Sequence, residues 1–458
     1  MPQFAISVMS GTSYPPNPTA LSRLADMFRG AMGQLGVKPE SADLERWAVV
    51  IHSSMSGRGR SYHTVDHVFQ VNGDNDAIGT LAILFHDTVY CEVDGGLPRA
   101  LVPVLGDALY VKGDHVELGE FDPSRGVLRA LVTRIFGFEP GQRVTFRSGL
   151  NELASALLAA RTLRSHLDLR TLAEVVTCIE ATIPFRDQNA EELLAARLAE
   201  ADREHSLGLG AEGVERAVSR AVEVANRDVA NFAYEDPASF LSHTWEILPE
   251  TNPTLRAPAY TLGEYRLAMS KMQGFLGSLE ATRVFRVFRD TPNGPDLASL
   301  HRRATTNLQR GVRYLRQKVL AARLLESLAQ LTGGDAPVSL FMGDLPADSR
   351  SRRLEDMLSD APELAEDVDP SVYRLLLEGR EKESGFDLRH SPLASRLYAH
   401  LGDARSDEVL AQEDGWALLE ALPQAIVVSV TRATASLATT REQKLLKIAS
   451  RLAQSDDA

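Results

Sequence analysis

Apolar residues recur at alternating spacings of three and four along most of this chain, a period that commits it to helices. Leu21, Leu24, Phe28 and Leu35 keep it near the N-terminus, with Gly36 as a stop. Val214, Val218, Ala221, Ala225 and Phe232 keep it in the middle. Leu308, Val312, Leu315, Val319 and Ala322 keep it on a long helix closed by Gly333-Gly334. The same reasoning predicts helices over about 43–52, 62–71, 76–89, 150–166, 172–182, 213–234 and 262–279, and two more within 413–455. The β-branched run Ile426–Val430 leaves a strand open there. Residues 93–147 are rich in glycine and proline without a clean period, and read as an insertion, a lid over the rest. Residues 236–258 hold several prolines and read as loop, 344–369 as an acidic surface linker, and the Pro/Ser/Thr-rich residues 1–18 as loose chain. The expected fold class is all-α.

At 458 residues the chain is long for one domain, and length suggests roughly two or three. A change is expected near Asp290–Asp296, giving an N-terminal unit of residues 1–290 and a helical C-terminal region, 291–458, of unassigned role. Hydrophobic residues at 44% and charged residues at 24% exclude a disordered chain. A net charge of −13 disfavours nucleic acid and membrane surfaces as partners. Two cysteines, Cys91 and Cys178, exclude a disulfide framework and a cysteine-based zinc finger. There is no basic n-region, and no apolar run nears the roughly 20 residues of a membrane span. The cytoplasm is the expected compartment.

Of the eleven histidines, His52, His63, His67, His86 and His115 fall early in the chain. His63 and His67 are four apart, which on a helix puts both imidazoles on one face. Farther on, Leu81-Ala82-Ile83-Leu84-Phe85 ends in His86-Asp87, an imidazole and a carboxylate closing an apolar face. A buried unpaired carboxylate costs on the order of several kcal/mol, which a metal ion relieves. Asp228 falls on the stripe of Val214 to Phe232, three after Ala225 and four before Phe232, so it too calls for a cation; Asp202 is the alternative. The mixed nitrogen and oxygen set His67, His86, Asp87 and Asp228 suits Zn, Mn, Fe, Ni, Co or Mg, and a bridging carboxylate would admit a second ion.

These residues reproduce the order H…HD…D, and the chain over residues 40–235 resembles the HD superfamily. It is similar to the metal-dependent phosphohydrolases of that superfamily in three phrases: Arg-x-Tyr-His-x-x-x-His (Arg60 to His67), Phe-His-Asp-x-Val-Tyr (Phe85 to Tyr90) and Asn-Glu-x-x-Ser-Ala (Asn151 to Ala156). The first phrase also looks like that of cyclic-nucleotide phosphodiesterases, although no His-Pro-Gly follows the dyad here. The resemblance implies an HD-type helical bundle with His67, His86, Asp87 and Asp228 as metal ligands and His63 as the acid that protonates the leaving oxygen. It implies hydrolysis of a small phosphate ester, a nucleotide foremost, by a metal-activated water. Glu152 would orient a ligand or that water, and Arg60 or Arg58 would neutralise phosphate.

Two other functions remain open to this sequence. One is a regulatory nucleotide-binding module whose C-terminal helices contact a partner protein. The other is a di-iron oxygenase, which needs further histidine ligands, with only His115, His166 and His205 to supply them. Blander readings stand beside these. His52 and His115 read as surface residues, Cys91 as a small buried apolar group, and Tyr62, Phe85 and Tyr90 as pocket wall. The stripe Leu308–Ala322 reads as core, or as the seam of a homo-oligomer.

Overall fold

The computed structural model describes residues 18–98, 101–106, 108–112, 115–119, 126–145, 148–344, 352–358 and 364–455. The reading of residues 1–18 as loose chain falls, but for its last residue, outside these. So do parts of the 93–147 and 344–369 stretches and the side chain of His115.

The protein is all-α, as its periodicity requires. The first half comprises α1 (Ala20–Gln34), α2 (Ser41–Met55), α3 (Val65–Asn72), α4 (Ala77–Phe85), the short α5 (Cys91–Asp94) and α6 (Val102–Leu105), then α7 (Val127–Phe136), α8 (Leu150–Leu163), α9 (Leu169–Ala181), α10 (Ala190–His205) and α11 (Gly210–Asp228). A small antiparallel sheet, β1 (Leu109–Lys112), β2 (His115–Leu118) and β3 (Arg143–Val144), is ordered β1-β2-β3, with Leu109 opposite Leu118 and Val116 opposite Val144.

α4 is the axis of this half. Asp76 caps it by accepting from the Gly79 N–H at 2.8 Å, and all nine of its residues are buried against α1, α8, α9 and α11. Leu81, Ile83, Leu84 and Phe85 are fully covered, each contributing about 1.5–3 kcal/mol. The stretch 93–147 is not a lid as a whole. Within it α7 packs on α8, α9 and α10 and places Leu131, Val132, Ile135 and Phe136 in the core.

The second half comprises α12 (Pro237–Thr251), α13 (Leu262–Ser278), α14 (Ala281–Val284), α15 (Gly294–Gly333), α16 (Val338–Met342), α17 (Pro370–Glu378), α18 (Pro392–Leu410), α19 (Gly415–Ala421), α20 (Gln424–Leu437) and α21 (Glu442–Ser455). The predicted loop 236–258 is largely α12. Pro237 sits in its first turn, where a missing N–H costs nothing, and Pro249 falls inside the helix only in its last turn. Ile426–Val430 is helical, within α20. α15 carries the Leu308–Ala322 stripe into the core against α13 and α18, so the stripe is core and not an oligomer seam. Leu354 and Val368, in the stretch read as a surface linker, are buried.

Two hydrophobic cores divide the chain, and the change falls between Ala225 and Phe232 rather than near Asp290. The halves exchange side chains. Phe185, from the first, packs edge-on against Phe232 and Phe275 at 5.9 and 5.7 Å between ring centres. Phe288, from the second, lies in the first core. Asn226 bonds the backbone of Arg286 in both directions, at 2.8 and 2.9 Å. Among the described residues no helix is long and apolar enough to cross a membrane.

Candidate metal centre

The four candidate ligands come from three helix ends. His67 sits in the first turn of α3. His86 caps the C-terminus of α4, where Nδ1 lies 2.8 Å from the Ile83 carbonyl oxygen. That carbonyl can only accept, so Nδ1 carries a proton, and Nε2 is the atom that could offer a lone pair to a cation. Asp87 follows in the turn. Asp228 is the last residue of α11, whose buried stripe of Val214, Val218, Ala221 and Ala225 aims it inward as the period requires.

The four side chains converge, each offering one donor atom within 4.8 Å of the others. His67 Nε2 is 3.0 Å from Asp228 Oδ1 and 3.5 Å from Asp87 Oδ2; His86 Nε2 is 3.2 Å and 2.9 Å from the same two atoms. A cation about 2.1 Å from each donor sets edges of roughly 3.0 Å in an octahedron and 3.4 Å in a tetrahedron. The cluster therefore fits a divalent ion, and two imidazoles with two carboxylates suit a transition metal or zinc.

The electrostatics agree. Burial disfavours the charge on Asp87, yet the imidazoles of His86 and His63 outweigh it and hold the carboxyl well below its usual range. Burial likewise opposes a proton on His86, but Asp87 and Asp228 raise it well above the ordinary imidazole value. Protons on imidazoles and a divalent cation at the centre are alternative ways of balancing these carboxylates. The imidazoles of His67 and His86 are 3% and 1% exposed, whereas Asp87, Asp228 and His63 keep 20%, 16% and 19%. The open face of the cluster is thus the one that His63 borders.

His63 is not on the helix. α3 starts at Val65, because the backbone N–H groups of Ser61, Tyr62 and His63 all donate to one oxygen, Glu250 Oε1, at 2.7, 2.8 and 3.0 Å. The other oxygen of Glu250 lies 2.6 Å from His63 Nδ1. Burial resists a proton on His63, but Asp87 and this bond raise its pKa. Its ring also stands edge-on to Tyr62 and Tyr90, at 4.9 and 4.6 Å between centres. Tyr62 and Tyr90 thus pack on the His63 ring. Phe85 does not: it is fully buried against Phe28 in the core. Glu250 was missed by sequence reasoning because it lies in the stretch read as loop.

Arg60 does not neutralise phosphate. Its guanidinium is fully covered and every N–H is used: Nε and Nη2 donate to Asp94 at 3.0 and 2.7 Å, Nη1 to the carbonyls of His63 and Asp87 at 3.2 and 2.6 Å, and Nη2 also to that of Thr88 at 3.1 Å. It is a clamp joining the His63 loop to the turn after the dyad. The third phrase serves the same turn: Ser155 Oγ accepts from the Val89 N–H at 3.1 Å and Asn151 Oδ1 from that of Cys91 at 3.0 Å. Glu152, between them, has a buried Oε2 with no hydrogen-bond donor among the described residues. Burial first, and then repulsion from Asp87 and Glu92, pushes its pKa up to about 7. Burial also pushes the Cys91 thiol up to about 12, so it stays protonated and unreactive. His166 packs on Trp47 and pairs with Asp43 instead of adding to the cluster.

No protein-family model, no curated protein and no solved structure matches this chain.

Proposed function

We propose that the protein is a metal-dependent phosphohydrolase of the HD type, acting on a nucleotide or another small phosphate ester. The observation that carries this reading is a buried two-histidine, two-aspartate cluster whose open face is bordered by an imidazole paired to a carboxylate. His67, His86, Asp87 and Asp228 would hold a divalent cation, which when bound polarises a phosphoryl oxygen and acidifies water. In its charged form, which Asp87 and Glu250 favour, His63 donates Nδ1–H to Glu250 and has its Nε2 proton left to give. That proton goes to the departing oxygen, a role suited to an imidazole. Tyr62 and Tyr90 hold the ring upright and shield it from water. Arg60 fixes the loops that carry His63 and Asp87.

The test is a screen of nucleotides and simple phosphate esters with each divalent metal added back to chelated protein. Phosphate or alcohol release that is lost on chelation and in His86→Ala and Asp87→Ala is expected. No release from any substrate by metal-loaded protein would overturn the reading.

A further inference from the structure

The proton donor is held by a helix of the other half, and that helix is itself anchored at a buried charge cluster. On α12, three consecutive turns face three different partners. Ser242 Oγ accepts from the Lys382 N–H at 3.1 Å. The indole N–H of Trp245 donates to Asp387 Oδ2 at 2.8 Å. Glu250 binds the His63 loop. The carbonyl of Glu246, next to Trp245, accepts from Ser61 Oγ at 2.5 Å.

Asp387 is a fixed point. Lys318 Nζ lies 2.7 Å and Arg380 Nη1 3.2 Å from Oδ2, and the Tyr265 hydroxyl donates to Oδ1 at 3.1 Å. The Arg380 guanidinium lies 4.2 Å from the centre of the Trp245 ring, which is 2% exposed. The metal chemistry uses none of these groups. The last turn of α12, by contrast, is not self-supporting. Pro249 has no N–H to give the Trp245 carbonyl, so the helical ladder is broken one residue before Glu250. The placement of Glu250 therefore depends on two tertiary anchors ahead of the gap, Trp245–Asp387 and Glu246–Ser61 Oγ.

We propose that Trp245 is a positioning residue for His63: by tying α12 to the buried Asp387 cluster, it sets Glu250 in reach of the imidazole and makes the second half part of the reaction apparatus. This inference rests on the phosphohydrolase reading for its effect on turnover, but not for its effect on the His63–Glu250 bond. A displacement of about 1 Å at a proton donor is enough to cost on the order of a hundredfold in rate.

The test uses the full chain with Trp245→Phe, which keeps an aromatic ring and deletes the N–H donor, and with Ser61→Ala, which deletes the hydroxyl bonded to the Glu246 carbonyl. Two readouts are taken with bound metal measured alongside. The first compares an alkyl phosphate ester, whose alkoxide needs a proton, with the p-nitrophenyl ester, whose phenolate does not. Both variants are expected to keep wild-type metal content, lose about tenfold or more on the alkyl ester and stay within about twofold on the aryl ester. Equal loss on both esters, or no loss on either, overturns the proposal. The second readout is the downfield proton resonance of the short His63–Glu250 bond, identified by its disappearance in His63→Asn. It is expected to move upfield in Trp245→Phe, and an unchanged resonance overturns the proposal whatever the activity. Wild-type hydrolysis that survives chelation sinks the phosphohydrolase reading instead, and leaves the resonance to decide the positioning.

Discussion

His86 Nε2 and Asp228 Oδ1 stand 3.2 Å apart although 142 residues separate them in the chain. One closes the most buried helix of the first half and the other ends the helix that leads into the second. Neither position has a packing reason for a charged group. A cation shared with His67 and Asp87 would supply an electrostatic one.

Binding of that cation should stabilise the folded chain by mass action, about 4 kcal/mol at a thousandfold excess of metal over Kd. Thermal melting with zinc or manganese added should show a rise that chelation reverses. Asp228→Ala should melt at the same temperature in both conditions.

Removing the proposed proton donor should separate chemistry from metal binding. His63→Asn should keep its metal and lose about 10²–10⁴ in turnover of an alkyl phosphate ester. The pH profile carries a sign. His63 must be protonated to act, and its pKa is raised by Asp87 and by Glu250 against the effect of burial. Turnover should therefore fall as pH rises through that raised value, while at the acid end protons on the ligand imidazoles compete with the metal. Glu250→Gln should shift the fall to lower pH. A profile identical to wild type would assign Glu250 no part in it.

Arg60→Ala should act on stability and not on substrate affinity. It leaves Asp94, which is 8% exposed, without its partner and three carbonyls without a donor. Breaking a buried pair in this way costs about 3–5 kcal/mol. Arg60→Lys should not restore it, because an ammonium cannot span the same acceptors. Urea unfolding of both variants, with KM on the best substrate, checks this.

The ligand set was legible in the sequence and its supports were not. Asp228 stands out because a period of 3.6 residues puts it on an apolar face, and His86-Asp87 because they close one; His67 stands out by its spacing from His63 and by the Arg60 to His67 phrase. Arg60 misled because its partner Asp94 is 34 residues away, in a stretch without clear period. His63 was placed on a helix because nothing local shows that a distant carboxylate would capture the three N–H groups before Val65. Glu250 stayed hidden because Pro237 and Pro249 bracket its helix. The Pro/Gly-rich turn near Asp290 is conspicuous in the sequence, while the change of core at Ala225–Phe232 occurs inside continuous helical pattern.

The second half should unfold in acid through Asp387. Burial works against its charge, but Lys318 and Arg380 outweigh this and hold its pKa below the usual range. A depressed carboxylate stabilises the fold at all pH above its unfolded value, about 3.9. The contribution is lost as pH falls from there through the folded value. Stability measured by urea unfolding from pH 6 downward should drop steeply below about pH 4 in the wild type. In Asp387→Asn, already less stable at pH 6, that part of the slope should be missing.

The most direct measurement is the metal content of purified wild-type protein beside His86→Ala and Asp228→Ala, by elemental analysis after dialysis against a divalent metal. The account expects at least one equivalent bound by the wild type and little or none by either variant, with helical content unchanged in all three. Wild-type protein that takes up no metal, or an Asp228→Ala variant that binds as much as wild type, would contradict it.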